Sequence, residues 1–346
     1  MTDHRFPYKW NLTDLAAVEK NGCNVFSCFS CGGGSSMGYK LAGYNVIGNV
    51  EIDKAIAAVY QANNHPEYSY NMDIRDFINM PEKPEALYKL DVLDGSPPCS
   101  TFSMCGEREK GWGVEKQFRE GQAKQRLDDL FFWFIELARQ LQPKVVIAEN
   151  VVGLLRGNAR GYVNQILKAF DTAGFAGQIF KLNAATMGVP QQRERVFFIF
   201  HRKDLSYPKL SMNFRESPIL FGDIRTPHGI AVDKDTLAFE LLKKRREGDK
   251  DLCDIIMREE CTSKRRRFNE KILADNKVAN TMASSGQLYR MADGDLISVL
   301  DTIRIQSFPE DYNFMNQKPQ YVCGMSVPPV MMANISTEVY NQWLAK

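Results

Sequence analysis

Leu93-Asp94-Gly95-Ser96-Pro97-Pro98-Cys99-Ser100-Thr101-Phe102-Ser103 is the stretch on which the reading of this chain turns. The apolar run at residues 90–93, broken only by Asp91, reads as a buried strand that stops at Gly95 and two prolines. Proline lacks an N–H and fixes its own φ, and a following proline also restricts the residue before it. The chain therefore leaves the sheet stiff and extended, with one thiol at its tip. A cysteine at the carboxyl end of a strand stands where open α/β sheets bind their ligands. Taken alone, Cys99 reads equally well as a small buried hydrophobe or as a nucleophile, because only an activated thiolate attacks.

Upstream, residues 23–29 alternate apolar and small polar side chains, as a strand does. They run into Ser30-Cys31-Gly32-Gly33-Gly34-Ser35-Ser36, then a helix expected over residues 36–42, and a strand over 45–50 that ends in Glu51-Ile52-Asp53. Strand, glycine turn, helix, strand and acid is the order of a nucleotide-binding unit: the helix start offers free N–H groups and the acid accepts from ribose hydroxyls. The turn is not a strict GxGxxG, so a plain tight turn stays open. Cys23, Cys28 and Cys31 imitate an iron–sulfur spacing, but no fourth cysteine follows until Cys99, and no metal site is expected. A helix over residues 54–62 follows. Met72-Asp73-Ile74-Arg75 is read as a short strand end carrying another acid.

Downstream of Cys99, residues 100–121 are rich in glycine and charge, and a loop this long beside a candidate nucleophile favours a mobile lid. A long helix is expected over 126–141, then a buried strand over 144–148 with Glu149-Asn150-Val151 at its end. That places a second acid on the same sheet edge as Cys99. After a helix over 162–173 and a strand over 178–182, Gly188 to Arg195 turns into an apolar strand at 196–200. The short turn suggests an antiparallel addition to an otherwise parallel sheet. Arg193 and Arg195 fall on one side of it by the period of two, with salt bridging as their plainer role.

Composition fits a globular protein, 44% hydrophobic and 25% charged. No apolar run approaches bilayer length, the first ten residues lack an apolar signal core, and eight cysteines without such a signal suggest free thiols in a reducing cytoplasm. The net charge of +2 hides an asymmetry. Residues 202–290 hold 19 Lys+Arg against 14 Asp+Glu, a net of +5, concentrated in Lys243-Lys244-Arg245-Arg246 and Lys264-Arg265-Arg266-Arg267. Such clusters suit a polyanion partner or a solvated helix face. Helices are expected over 297–308 and 330–343.

Taken in order, Phe29-Ser30-Cys31-Gly32-Gly33-Gly34, Glu51, Pro98-Cys99, Glu149-Asn150-Val151, Gln191-Gln192-Arg193-Glu194-Arg195 and Gly324-Met325-Ser326-Val327-Pro328-Pro329 resemble the blocks of DNA cytosine-5 methyltransferases. The resemblance covers nearly the whole chain. It implies an α/β class, with a Rossmann-like, mostly parallel sheet and helices on both faces (the S-adenosylmethionine-dependent methyltransferase fold). Residues 1–201 and 316–346 would form the catalytic, cofactor-binding domain, and 202–315 a smaller irregular target-recognition domain and hinge.

The resemblance also implies S-adenosyl-L-methionine as the ligand of the glycine turn, with S-adenosyl-L-homocysteine as product. Phe29 would pack on the adenine, Glu51 take the ribose hydroxyls and Asp73 meet the adenine amino group. Gly32 and Gly33 would lie along the methionine part, and Ser30, Ile52, Pro98, Leu130 and Ser326 would complete the pocket. Cys99 would add to carbon 6 of a flipped-out cytosine. Glu149, if burial keeps it protonated, would serve ring nitrogen 3, Arg195 would bind O2, and Arg193 would support the loop or a phosphate. Ser103 would touch a target-strand phosphate.

The implied partner is double-stranded DNA, bound by a monomer in the cytoplasm and nucleoid, with a cognate restriction endonuclease as a further partner and no membrane. Departures from the pattern are Cys31 for the usual first glycine, Met325 for asparagine and Ser100 for glutamine. Other readings are a tRNA cytosine-5 methyltransferase of the same fold, a catalytically silent cofactor-binding DNA-binding protein and, weakest, an NAD-dependent oxidoreductase.

Overall fold

A computed structural model describes residues 4–98, 129–156 and 159–345. The expected nucleophile Cys99, the lid at 100–121, Ser103 and the first residues of the helix expected at 126 lie outside these.

Seven strands form one sheet: β1 (Asn24–Cys28), β2 (Asn45–Val50), β3 (Tyr68–Tyr70), β4 (Val92–Gly95), β5 (Val145–Val151), β6 (Phe175–Asn183) and β8 (Glu194–Arg202), with β7 (Gln191–Gln192) just outside it. Their spatial order is β3-β2-β1-β4-β5-β8-β6. β1 to β5 are parallel to one another, and β8 runs antiparallel to both β5 and β6. The chain order reverses between β1 and β4, the position at which open α/β sheets take ligands. The antiparallel strand is the one expected from the short turn before residue 196.

Side chains alternate strictly between the two faces. Val25, Val92, Val145, Ile147 and Phe197 face one core layer, together with helices α1 (Gly34–Leu41), α2 (Lys54–Asn64) and α11 (Pro329–Val339). Phe26, Leu93, Val146, Ala148 and Phe198 face the other, with α3 (Ile74–Ile78), α4 (Leu130–Leu141) and α5 (Ala159–Thr172). Burial on both faces explains why β4, β5 and β8 read as apolar runs rather than as alternations.

Three elements differ from the sequence reading. Residues 72–75 are not a strand end: β3 stops at Tyr70, and Asp73 caps α3 by accepting from the Arg75 N–H at 2.8 Å. An aspartate two residues before an amide competes well for a helix N-terminus, which overrode the short apolar pattern. β4 runs on through Asp94 and Gly95, and β5 through Glu149 and Asn150, so both acids are strand residues. The last helix ends at Val339 and passes into a wider turn, Tyr340–Leu344.

Residues 202–315 pack in two ways. Leu210, Ile219, Phe221, Ile224, Ile303, Ile305 and Phe308 join the main core. Ala238, Leu241, Leu242, Leu252, Ile255, Ile256, Ile272 and Tyr289 form a separate small core built on α7 (Leu237–Lys243), α8 (Leu252–Glu259) and the parallel pair β9 (Lys271–Leu273) and β11 (Leu288–Arg290). Among the described residues no helix is long and apolar enough to cross a membrane.

Candidate active site

At the carboxyl edge of β1 and β2, Phe29, Glu51, Ile52 and Asp73 come together with Val50, Met72 and Ile74 around a small cleft. Phe29 and Cys31 both adopt left-handed backbone, φ 50° and 47°. This conformation is costly for residues with a side chain, and its presence marks a tightly determined turn. It brings the Cys31 N–H to Glu51 Oε2 at 2.9 Å, while the Asp53 N–H bonds Oε1 at 2.9 Å. Burial raises the Glu51 pKa, and those backbone N–H groups pull it back. Cys31 thus takes a conformation that glycine would adopt freely, so its side chain does not prevent the turn.

The glycines have a second reason besides ligand approach. A Cβ on Gly32 would stand 2.1 Å from Val322 Cγ1. Gly33 has φ +82°, and a Cβ there would stand 2.4 Å from Asn64 Nδ2. The turn is packed onto α2 and onto α10 (Pro319–Met325), and Tyr312 donates its hydroxyl to the Gly32 carbonyl. Ser30 is buried and accepts from Asn49 Nδ2 at 2.9 Å. Ser326, buried beside the turn, donates its hydroxyl to the Val322 carbonyl at 2.8 Å. Asp73 is paired with Arg75 at 3.1 Å, and Arg75 also reaches Asp129 at 2.8 Å. Leu130 is fully buried at the start of α4 in the second core layer and is not among the residues lining the cleft.

Across the switch point, Glu149 Oε1 and Arg195 Nε form an ion pair at 3.0 Å, with both side chains mostly buried. Register explains the pairing: Glu149 lies opposite Phe197 and Val151 opposite Arg195, so the two charges are diagonal neighbours on one face. Burial lowers the Arg195 pKa and the Glu149 carboxylate opposes that fall. Arg193 behaves differently. It is 2% exposed and donates to the carbonyls of Met282, Gly324 and Ser326 at 3.0, 3.0 and 2.9 Å. It fastens the last sequence block and the 282 region to the entry of β8.

One contributor had no role assigned from sequence. Asn150 is buried and donates its Nδ2 to the Pro97 carbonyl at 3.1 Å, with Oδ1 taken by the Val151 N–H. It ties the strand carrying Glu149 to the proline segment ahead of Cys99. Its place beside Glu149 was the only signal available. Of the expected site, Phe29, Glu51, Ile52 and Asp73 line the cleft, Ser30, Gly32, Gly33 and Ser326 belong to the adjoining turn and the residues packed on it without lining the cleft, and Glu149, Arg195 and Pro98 lie along the same sheet edge. Burial pushes the thiols of Cys23 up to about 11 and of Cys31 up to about 12, which leaves both poor nucleophiles.

A C-5 cytosine-specific DNA methylase model matches residues 23–341. The chain belongs to that family. It is 34% identical over 212 residues to the type II methyltransferase M.NgoPII of Neisseria gonorrhoeae, covering 59% of this chain and 56% of that protein. It is 26% identical over 334 residues to the type II methyltransferase M1.HphI of Haemophilus parahaemolyticus, covering 90% and 85%. The chain spans about half the length of the first curated relatives it matches, 56% of M.NgoPII and 48% of M.FnuDI. Among solved structures, a prophage-encoded E. coli protein described as a DNA modification methyltransferase superposes with TM-score 0.65 at 21% identity, covering 94% of this chain and all of the other. Spodoptera frugiperda DNMT2, solved as a mutant, superposes with TM-score 0.63 at 16% identity, covering 92% and 100%. Both show the methyltransferase fold.

Proposed function

We propose that the chain is a sequence-specific DNA cytosine-5 methyltransferase that uses S-adenosylmethionine and acts on a cytosine flipped out of duplex DNA. The observation that carries this reading is the Glu149–Arg195 pair on the same sheet edge as Pro97 and Pro98, in a chain of this family. The cleft suits the cofactor's nucleoside, with apolar walls from Phe29, Ile52 and Ile74, and a Glu51 carboxylate already oriented by two N–H groups for a diol. When bound, the cofactor supplies an electrophilic methyl group next to the glycine turn.

The chain's own residues prepare the base. Cys99 follows directly on Pro98, and its thiolate adds to carbon 6, which makes carbon 5 nucleophilic. Charge then develops over ring nitrogen 3 and O2. Glu149 shares a proton with the nitrogen and Arg195 donates to O2, an arrangement in which fixed donors meet charge as it forms. Carbon 5 would then take the methyl group that the bound cofactor supplies, its methyl–sulfur bond breaking to leave the neutral thioether, after which loss of the carbon 5 proton and elimination of the Cys99 sulfur restore the aromatic ring. Arg193 holds the surrounding loops, because its Nη1 and Nη2 are both spent on backbone carbonyls.

The segment 202–315 acts as target-recognition domain and hinge, with the small core on α7 and α8 carrying the basic clusters Lys243 to Arg246 and Lys264 to Arg267 toward phosphates. The protein works as a cytoplasmic monomer, and its likeness to type II methyltransferases favours a restriction endonuclease as companion. Incubation with labelled S-adenosylmethionine and duplex DNA, followed by bisulfite sequencing, is expected to place methyl groups on carbon 5 within one short sequence. Label entering tRNA in preference to DNA would overturn the substrate assignment.

A further inference from the structure

Within the apolar layer between the sheet and α1 sits one polar island. Asp94, 2% exposed, accepts hydrogen bonds from Ser27 Oγ at 2.7 Å, Ser35 Oγ at 3.0 Å and Tyr39 Oη at 3.3 Å. Ser27 lies opposite Asp94 on β1, while Ser35 and Tyr39 belong to α1. The carboxylate therefore joins the helix that begins at the glycine turn to the strand that leads into Pro97-Pro98-Cys99.

A carboxylate buried this deeply is normally paired with a cation. Among the described residues no lysine, arginine or histidine forms an ion pair with Asp94; it is held by three hydroxyls and by the positive end of α1. The titratable groups around it are Cys28 on β1, Tyr39 on α1, Tyr60 on α2 and Glu149 on β5, the last already paired with Arg195. None supplies a free positive charge. Glu149 adds a second negative one.

Asp94 is the penultimate residue of β4 and bonds Ser35 in the first turn of α1, at the carboxyl edge to which the proposed reaction brings the methyl donor's sulfur. S-adenosylmethionine carries a positive charge on that sulfur, and S-adenosylhomocysteine does not. We propose that Asp94 is the buried counter-charge of the cofactor's sulfonium, favouring the charged methyl donor over the neutral product. Burial, partly offset by the three hydroxyl donors, raises the Asp94 pKa to about 7. A bound sulfonium holds the group ionised, so protonating Asp94 weakens the donor and leaves the product unaffected.

The inference rests on S-adenosylmethionine being the cofactor, and one calorimetric series separates the two. Wild type and Asp94→Asn are titrated with S-adenosylmethionine and S-adenosylhomocysteine at pH 6 and pH 7.5, without DNA. At pH 7.5 the substitution should weaken the donor about tenfold and leave the product within about twofold, the size expected for one elementary charge felt across a partly screened interior. In wild type the donor should also weaken relative to the product as pH falls to 6, and that shift should be absent from the variant. Equal weakening of both ligands would make Asp94 a packing residue, and no change in either would remove it from the site. Should the variant fail to fold, the wild-type pH series decides alone: a donor-to-product ratio constant between pH 6 and 7.5 overturns the inference. Binding of neither ligand to wild type would instead refute the cofactor assignment.

Discussion

Asn150 donates its side-chain amide to the Pro97 carbonyl at 3.1 Å, inside the protein, and so locks the strand of Glu149 to the segment that precedes Cys99. Two chemical partners that are far apart in sequence are thereby held by one hydrogen bond between the elements that carry them.

Removing that bond should cost rate more than binding. Asn150→Ala leaves a buried proline carbonyl unpaired and frees the tip to wander. The expected result is a kcat lowered about tenfold, with cofactor affinity within about twofold, because a net hydrogen bond is worth roughly 1 kcal/mol and its loss falls on alignment. Single-turnover methylation and calorimetry measure the two separately.

Arg193 should prove a stability residue. Its guanidinium serves the carbonyls of Met282, Gly324 and Ser326, and burial lowers its pKa. Arg193→Ala strands three buried acceptors, for an expected loss of about 3 kcal/mol or more in denaturant unfolding. Arg193→Lys should recover little of it, since one ammonium cannot reproduce a planar fork of donors.

Gly32 is required by packing as well as by any ligand. A methyl there meets Val322 Cγ1 at 2.1 Å, so Gly32→Ala should destabilise by about 1–3 kcal/mol. Adding Val322→Ala removes the clashing carbon and should restore part of the thermal stability. If the second change restores nothing, the glycine is required for another reason.

The pH dependence of stability should carry the signature of Asp94. Its folded pKa of about 7 lies above its ordinary value of 3.8, so the native state holds the proton more tightly than the unfolded chain. Below pH 4 both states are protonated and nothing is lost. Between pH 4 and 7 the unfolded chain ionises first and stability falls with rising pH; above 7 the full penalty stands. Asp94→Asn removes that penalty, so its melting temperature relative to wild type should rise steadily from pH 4 to pH 7.

The sheet was legible because its strands are buried on both faces and punctuated by glycine, proline and acids, as at residues 45–50 and 196–200. The Met72–Arg75 segment was misread because an aspartate cap is a two-residue signal inside a weak apolar pattern. Glu51 could be placed directly after a strand from spacing alone, and Glu149 near a strand end, although β5 runs on past it to Val151. The separate fates of Arg193 and Arg195 could not: both sit two apart, but Arg193 precedes β8 and turns inward to loops that are remote in sequence. The Asp94 network was also invisible, since Ser27, Ser35 and Tyr39 converge only through strand register and helix packing.

The central claim is a covalent route through Cys99, and trapping tests it most directly. Duplex DNA carrying 5-fluorocytosine at the target position is incubated with the protein and S-adenosylmethionine, then resolved on a denaturing gel and mapped by peptide mass. A stable protein–DNA adduct at Cys99 is expected, because fluorine cannot leave as the proton does and elimination stalls. An enzyme that methylates unmodified DNA but forms no adduct, or forms one at another residue, would contradict it.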